Sequence, residues 1–77
     1  MHQTLADLKE GTRAVVRGFL KGSAPYRKRL MSMGLTPDTD LRVIRVAPMG
    51  DPVEIMVRDY SLSLRKDEAR ALIVREI

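Results

Sequence analysis

Short segments in which apolar and polar side chains alternate recur along the chain, and this period of two is typical of β-strands that bury one face. The alternation is clearest after Pro52, where Val53, Ile55 and Val57 are separated by polar or longer side chains. We expect these three residues to lie in the core. The five predicted strands cover residues 13–20, 40–47, 53–58, 61–65 and 72–76.

Two of these strands depart from simple alternation. Gly18 interrupts the first strand, which predicts a bulge or a bend there. In the second strand Leu41 and Val43 point one way, whereas Ile44 and Val46 point the other. Apolar residues on both faces predict a central strand or a strand that bends sharply between two sheet layers.

A short amphipathic helix is predicted between Pro25 and Gly34. Tyr26, Leu30 and Met33 are spaced at i, i+4 and i+7, which places them on one helical face, toward the core. A proline just ahead of the helix is tolerated because its missing N–H would have no partner anyway. Gly34 is expected to end the helix in the left-handed conformation, where a side chain would cost about 1 kcal/mol.

One or two helical turns are predicted at residues 4–10. Thr4 is suited to the N-cap position, and Asp7, three residues later, approximates a capping box. Leu5 and Leu8 lie three apart, and we expect them to cover the core.

Turns and loops connect the predicted elements. Prolines and a glycine mark a loop at 48–52, a short reversal at 59–60 predicts a hairpin, and residues 66–71 are predicted to form a single helical turn. The last strand is expected to pair beside the first. Five short strands with two or three short helices predict a mainly β fold, a small SH3-like antiparallel barrel that occupies residues 1–77 as one domain.

Composition narrows the functional classes. There is no cysteine among the 77 residues, which excludes disulfides and a thiolate zinc site. No apolar run approaches the ~20 residues that span a bilayer, and no leader peptide is visible, so we expect a soluble cytoplasmic chain. The net charge of +4 permits an anionic partner but does not require one.

The residues expected of an enzyme or a metal site are sparse. Catalysis is not expected, because the single histidine, His2, lies at the terminus and the serines have no evident base beside them. Asp38 with Asp40, and Asp51 with Glu54, offer oxygen ligands, but their spacing also fits ordinary turns. We therefore predict no metal site and no cofactor.

Four segments in order resemble the FeoA family, and together they run from residue 29 to residue 74. They are residues 29–38 (RLMSMGLTPD), similar to the family's RLxxLGLxPG; 43–52 (VIRVAPMGDP), similar to its V.R.AP.GDP; 61–69 (SLSLRKDEA), similar to its LaLRkeeA; and 73–74, similar to its final I.V. Asp38 departs from the family's usual Gly and Met33 from its usual Leu. The first change implies a different turn conformation or a tolerated strain, and the second conserves volume.

The resemblance implies an SH3-like, non-catalytic accessory protein of bacterial ferrous iron uptake. Its implied partner is FeoB, a membrane transporter with a cytoplasmic GTPase domain, which would hold the chain at the inner face of the inner membrane. The same fold also forms the C-terminal domain of DtxR-type metal-dependent repressors. No helix-turn-helix precedes the barrel here, so the free-standing form fits better.

Exposed methionine and basic residues are the candidates for partner recognition, since Met and Arg are favoured at interfaces. They lie on the predicted helix and on the loop at 48–52, and small-molecule substrates are not expected. The predicted partner-binding residues are Arg27, Lys28, Met31, Met49, Gly50 and Asp51. The alternative reading is that Met31 and Met49 fill gaps in a small core.

Nucleic-acid binding, or a metal-regulator-like role, is the competing function. Barrels bind single strands through aromatic side chains in a basic groove. Phe19, Tyr26 and Tyr60 are the aromatic residues here, and Tyr26 is expected to face the core. The basic run 27–29 spreads over different faces of its helix, so we consider this function less favoured.

Overall fold

Five strands form one antiparallel sheet in the computed structural model, which describes residues 2–77. The strands are β1 (Arg13–Phe19), β2 (Asp40–Val46), β3 (Val53–Val57), β4 (Tyr60–Leu64) and β5 (Leu72–Glu76). Two helices, α1 (Ala24–Ser32) and α2 (Lys66–Ala71), and two 3₁₀ turns, Leu5–Asp7 and Pro48–Gly50, complete the fold. The sheet order β4-β3-β2-β1-β5 confirms that the last strand pairs beside the first. The mainly β, SH3-like prediction is confirmed.

The core lies on one face of this sheet, beneath α2 and the first 3₁₀ turn. Val53, Ile55 and Val57 are all buried there, as the alternation predicted. Leu5 and Leu8 are buried as well, so the N-terminal segment covers the core as expected. The remaining buried apolar residues are Ala14, Val16, Leu30, Leu35, Leu41, Val43, Leu64, Ala69, Ala71, Leu72 and Val74.

Two bulges shape the sheet. The β1–β5 register shifts between Val16 and Gly18, which confirms the irregularity predicted at that glycine. The β2–β3 register shifts between Val43 and Arg45, so Ile44 is the extra residue. The expectation that Ile44 and Val46 share a face was therefore wrong. The bulge leaves Ile44 exposed and returns Val46 to the core side.

The β3–β4 hairpin turns one residue earlier than predicted. Val57 pairs with Tyr60, so Arg58 and Asp59 form the turn rather than Asp59 and Tyr60. Two-residue connections match the twist of paired strands, and they need left-handed backbone. Arg58 adopts it, with φ of 55°.

The N-terminal segment is shorter than the predicted helix but is capped as expected. Only Leu5–Asp7 is helical, because Leu8 returns to extended backbone with ψ of 150°. The Thr4 N–H donates to the Asp7 carboxylate at 2.9 Å, which is one half of a capping box. Thr4 also bridges to Ile73, so this segment covers the outer edge of β5.

Helix α1 begins earlier than predicted and ends as expected. It starts at Ala24, which puts Pro25 inside the first turn, a position that still needs no N–H partner. Gly34 follows in the left-handed conformation with φ of 96°. Leu30 is fully buried, whereas Tyr26 and Met33 are half-buried. Within residues 2–77 no helix has the length and apolar character needed to cross a membrane.

Candidate partner-binding surface

The exposed side of α1 carries three of the predicted residues in one place. Arg27, Lys28 and Met31 line a shallow depression of about 410 Å³ together with Ala24. These positions follow the i, i+3, i+4, i+7 spacing of one helical face. Met31 is 37% exposed, so it does not fill the core. We call these four residues the α1 patch.

The basic run of α1 divides its charges between different neighbours. The Arg27 guanidinium lies 5.8 Å from the centre of the Phe19 ring, close enough for a cation–π contact. Arg29 points away from the patch, because its Nη1 lies 3.2 Å from Glu68 Oε2 on α2. Lys28 forms no ion pair with any residue of 2–77. Its ammonium group is therefore available to an acidic partner.

The loop between β2 and β3 presents Met49 to solvent. Met49 and Gly50 both adopt left-handed backbone, with φ of 74° and 76°. The Gly50 N–H donates to the Ala47 carbonyl at 2.8 Å and closes the turn. Met49 is 89% exposed, the most of any large apolar side chain in residues 2–77. This exposure removes the alternative that Met49 fills the core.

Asp51 has a structural contact as well as an exposed position. Its carboxylate accepts a hydrogen bond of 3.3 Å from the Lys66 N–H at the start of α2. The loop is thereby connected to α2, which in turn contacts α1 through Glu68 and Arg29. The three loop residues do not line the α1 depression. The predicted site is thus two surfaces joined through α2.

Sequence reasoning missed a third exposed surface, on the outer face of the sheet. Two depressions there, of about 310 and 180 Å³, share Arg42 and Met56. Ile44 lines the first, and Arg13 and Arg58 line the second. We call these five residues the sheet patch. The signal was the outward half of the strand alternation, in which Arg42 and Met56 occupy matching positions.

Groups suited to metal binding are dispersed. Within residues 2–77, no three His, Cys, Asp or Glu side chains come together in a cluster that could hold a metal ion. Each of the two candidate pairs of carboxylates divides between a turn and the strand after it, with Asp40 in β2 and Glu54 in β3. Asp38 belongs to the turn before β2, and Asp51 to the loop before β3.

Comparison with protein families connects nearly the whole described chain to ferrous iron transport. The FeoA domain model matches residues 3–76. A curated relative, the Fe(2+) transport protein A/Fe(2+) transporter FeoB fusion protein of Porphyromonas gingivalis, is 34% identical over 73 residues. That match covers 95% of this chain and 8% of the relative. The chain therefore spans about a twelfth of the fusion protein.

Solved structures agree with the fold. The FeoA-like protein of Clostridium acetobutylicum is 34% identical with a TM-score of 0.88, over 99% of this chain and 87% of that one. The Stenotrophomonas maltophilia FeoA complexed with zinc, described as a prokaryotic SH3 domain protein, is 28% identical. Its TM-score is 0.81 over 95% of this chain and 89% of that one. A manganese-dependent transcriptional repressor shares the fold alone, at 17% identity, a TM-score of 0.89, and 99% and 37% coverage.

Proposed function

The chain belongs to the FeoA family of ferrous iron transport proteins, and from this premise we propose that it is a non-catalytic accessory protein that binds FeoB. The observation that carries the proposal is the relative in which the FeoA and FeoB parts form one polypeptide. Covalent linkage raises the effective concentration of two modules that act together. Without such a link, the same association needs a docking surface. Binding to FeoB would hold it at the cytoplasmic face of the inner membrane.

The α1 patch and the loop tip, which consists of Met49, Gly50 and Asp51, are the proposed docking surface. The patch combines an apolar depression with Lys28, a cation that lacks an internal partner. Met49 adds a flexible apolar side chain that is exposed without any core contact to lose. We infer that FeoB offers an acidic surface with an apolar group that enters the α1 depression. The positive charge would speed the encounter, and the apolar contacts would slow dissociation.

Nucleic acid is the weaker candidate because the aromatic side chains have other contacts. The Tyr60 hydroxyl donates to the Met33 carbonyl, and Phe19 packs beside the core beneath the Arg27 guanidinium. Tyr26 also packs against the core. Stacking with single-stranded bases needs free ring faces.

The experiment measures the affinity of the chain for the purified FeoB GTPase domain and for detergent-solubilised FeoB at physiological salt. Lys28→Glu with Met31→Glu is expected to weaken binding about tenfold or more, as hot-spot substitutions do. Met49→Gly is expected to weaken binding while leaving the free energy of unfolding within about 1 kcal/mol, because glycine suits the left-handed backbone there.

Lys9→Glu with Arg75→Gln is the matched control, since the pair makes the same total change of charge at exposed positions outside both surfaces. It should leave the affinity within about twofold of the native value. Unchanged binding by both the α1 patch variant and Met49→Gly, with their folds intact, would remove the docking surface but leave FeoB as partner. No binding of the native chain to either FeoB preparation would remove the partner itself.

A further inference from the structure

The outer face of the sheet carries a line of side chains that the strand register places side by side. Arg13 pairs with Arg42, and Arg42 pairs with Met56 on the next strand, so the three form a row across β1, β2 and β3. Ile44 and Arg58 flank this row in the sheet patch. All five residues are exposed, while the strand positions beside them at Ala14, Leu41, Val43, Ile55 and Val57 are buried. The row therefore faces away from the core.

Positive charge dominates this face. None of the three arginines of the sheet patch forms an ion pair within residues 2–77. Asp40 lines the smaller of the two depressions, of about 180 Å³. Glu54 lies two residues from Met56 on the same side of β3. Three guanidinium groups thus face two carboxylates without pairing to either. An unpaired guanidinium presents a planar fork of donors that matches a carboxylate.

The patch is also concave and partly apolar. Ile44 and Met56 are each 38% exposed, although both are large hydrophobic side chains. Ile44 is exposed because the β2 bulge inserts it as an extra residue. Together with Gly11 and Arg42 they line the depression of about 310 Å³. A cavity of this size accommodates one inserted apolar side chain, with cations at its rim.

These features favour a peptide segment over other anionic partners. A single-stranded nucleic acid needs aromatic platforms, and none of the residues lining the two depressions is aromatic. A lipid surface is attracted mainly to clusters of basic side chains around a flat or protruding apolar face, whereas this apolar site is recessed. An acidic segment satisfies both the arginine rim and the recess.

We propose that the sheet patch is a second docking site, which binds an acidic protein segment whose Asp or Glu side chains flank one apolar side chain. The apolar side chain enters the depression beside Met56 and Ile44. The carboxylates pair with Arg13 and Arg42, which register holds as neighbours. This site is separate from the α1 patch and does not depend on the identity of the partner proposed there.

The test selects binders to the full chain from a displayed library of random peptides. Their length of roughly twelve residues is enough for an extended segment to cross both depressions of the sheet patch. Selected peptides should be enriched in Asp and Glu around one Leu, Ile, Met or Phe. Arg13→Gln with Arg42→Gln should weaken their binding about tenfold, and Met56→Glu should do the same. Lys9→Gln with Arg70→Gln removes equal charge from exposed positions elsewhere and should retain the affinity.

Several results would overturn the proposal. These are a library that yields no binder, peptides without acidic enrichment, or equal binding to native chain and the arginine variant. Loss of binding in the Lys28→Glu, Met31→Glu variant would assign the peptides to the α1 patch instead. The chain is also tested with a thymidine oligonucleotide and with vesicles that contain about 30% phosphatidylserine. If either bound more tightly than the selected peptides and showed the same dependence on Arg13 and Arg42, it would replace the peptide as the ligand. Backbone amide NMR spectra verify that each variant is folded.

Discussion

At the scale of single residues, several residues other than glycine adopt the left-handed backbone conformation. Asp38, Met49 and Arg58 adopt positive φ without being glycine, at a cost of about 1–2 kcal/mol each. Asp38 stands where the family has glycine, and with φ of 73° it takes the strained conformation itself. An aspartate tolerates this better than most residues because its short side chain bonds locally. Its carboxylate also lies 3.7 Å from Arg17 Nη1.

Gly34 combines a positive φ with a close neighbour. A Cβ built at this position would overlap the Tyr60 hydroxyl, which donates to the Met33 carbonyl. We expect Gly34→Ala to lower the free energy of unfolding by more than the roughly 1 kcal/mol that the backbone alone costs. Tyr60→Phe removes the oxygen that the new methyl group meets. In urea denaturation the double variant should therefore lose less than the sum of the two single variants, and additive losses would contradict the proposed contact.

At the scale of elements, a buried carboxylate joins the two helices. Glu68 is only 3% exposed; its Oε1 accepts the Arg65 N–H at 2.9 Å, and its Oε2 lies 3.2 Å from Arg29 Nη1. The second oxygen makes no directed hydrogen bond, so the arginine supplies its compensation through charge. The pair fixes α1 against the start of α2. It thereby orients the α1 patch relative to the loop that contacts Lys66.

Loss of this carboxylate should destabilise the fold. Glu68→Ala removes both the cap of α2 and the partner of Arg29, and we expect the free energy of unfolding to fall by about 1–3 kcal/mol. Asp67→Ala, at an exposed position of the same first turn, is the control and should cost less than about 1 kcal/mol. Urea unfolding measures both variants. Equal losses would show that helix-end charge alone, rather than the Arg29 contact, accounts for the effect.

At the scale of the whole molecule, α1 is less attached to the core than the central strands are. Leu30 is its one buried residue, whereas β2 and β3 are paired on both sides and bury several residues each. Elements with few buried apolar contacts open at lower free energy than the rest of a domain. The proposed docking helix therefore has more freedom to adjust to a partner than the sheet patch, which stands on the two central strands.

Hydrogen exchange measures this difference directly. In D₂O, backbone amides of α1 should exchange about tenfold or more faster than those of Val43 and Ile55 in the central strands. A factor of ten in exchange rate corresponds to a difference of about 1.4 kcal/mol in opening free energy. Glu68→Ala should accelerate exchange in α1 more than in β3, because it frees the helix without touching the sheet. Exchange in α1 as slow as in β3 would contradict the weak attachment.

The sequence by itself determined the strands, the helix that ends at Gly34, the buried Val53, Ile55 and Val57, and the family. Periodicity and turn chemistry are local, so they can be read from neighbouring residues. The number of short strands also predicted the SH3-like barrel with the last strand beside the first, and the resemblance implied the same fold. The choice of Arg27, Lys28 and Met31 as exposed neighbours also followed from helical spacing. Their role in binding stays a prediction.

Only the tertiary structure decided the strand register and the division of charge on α1, because both depend on contacts between segments that are distant in sequence. Strand register placed the bulge at Ile44, returned Val46 to the core and aligned Arg13 with Arg42 and Met56. No pattern within β2 records which residue of β3 lies opposite it. The division of charge within α1 has the same origin, since Arg29 is withdrawn from the patch by a carboxylate that lies far along the chain but adjacent in space.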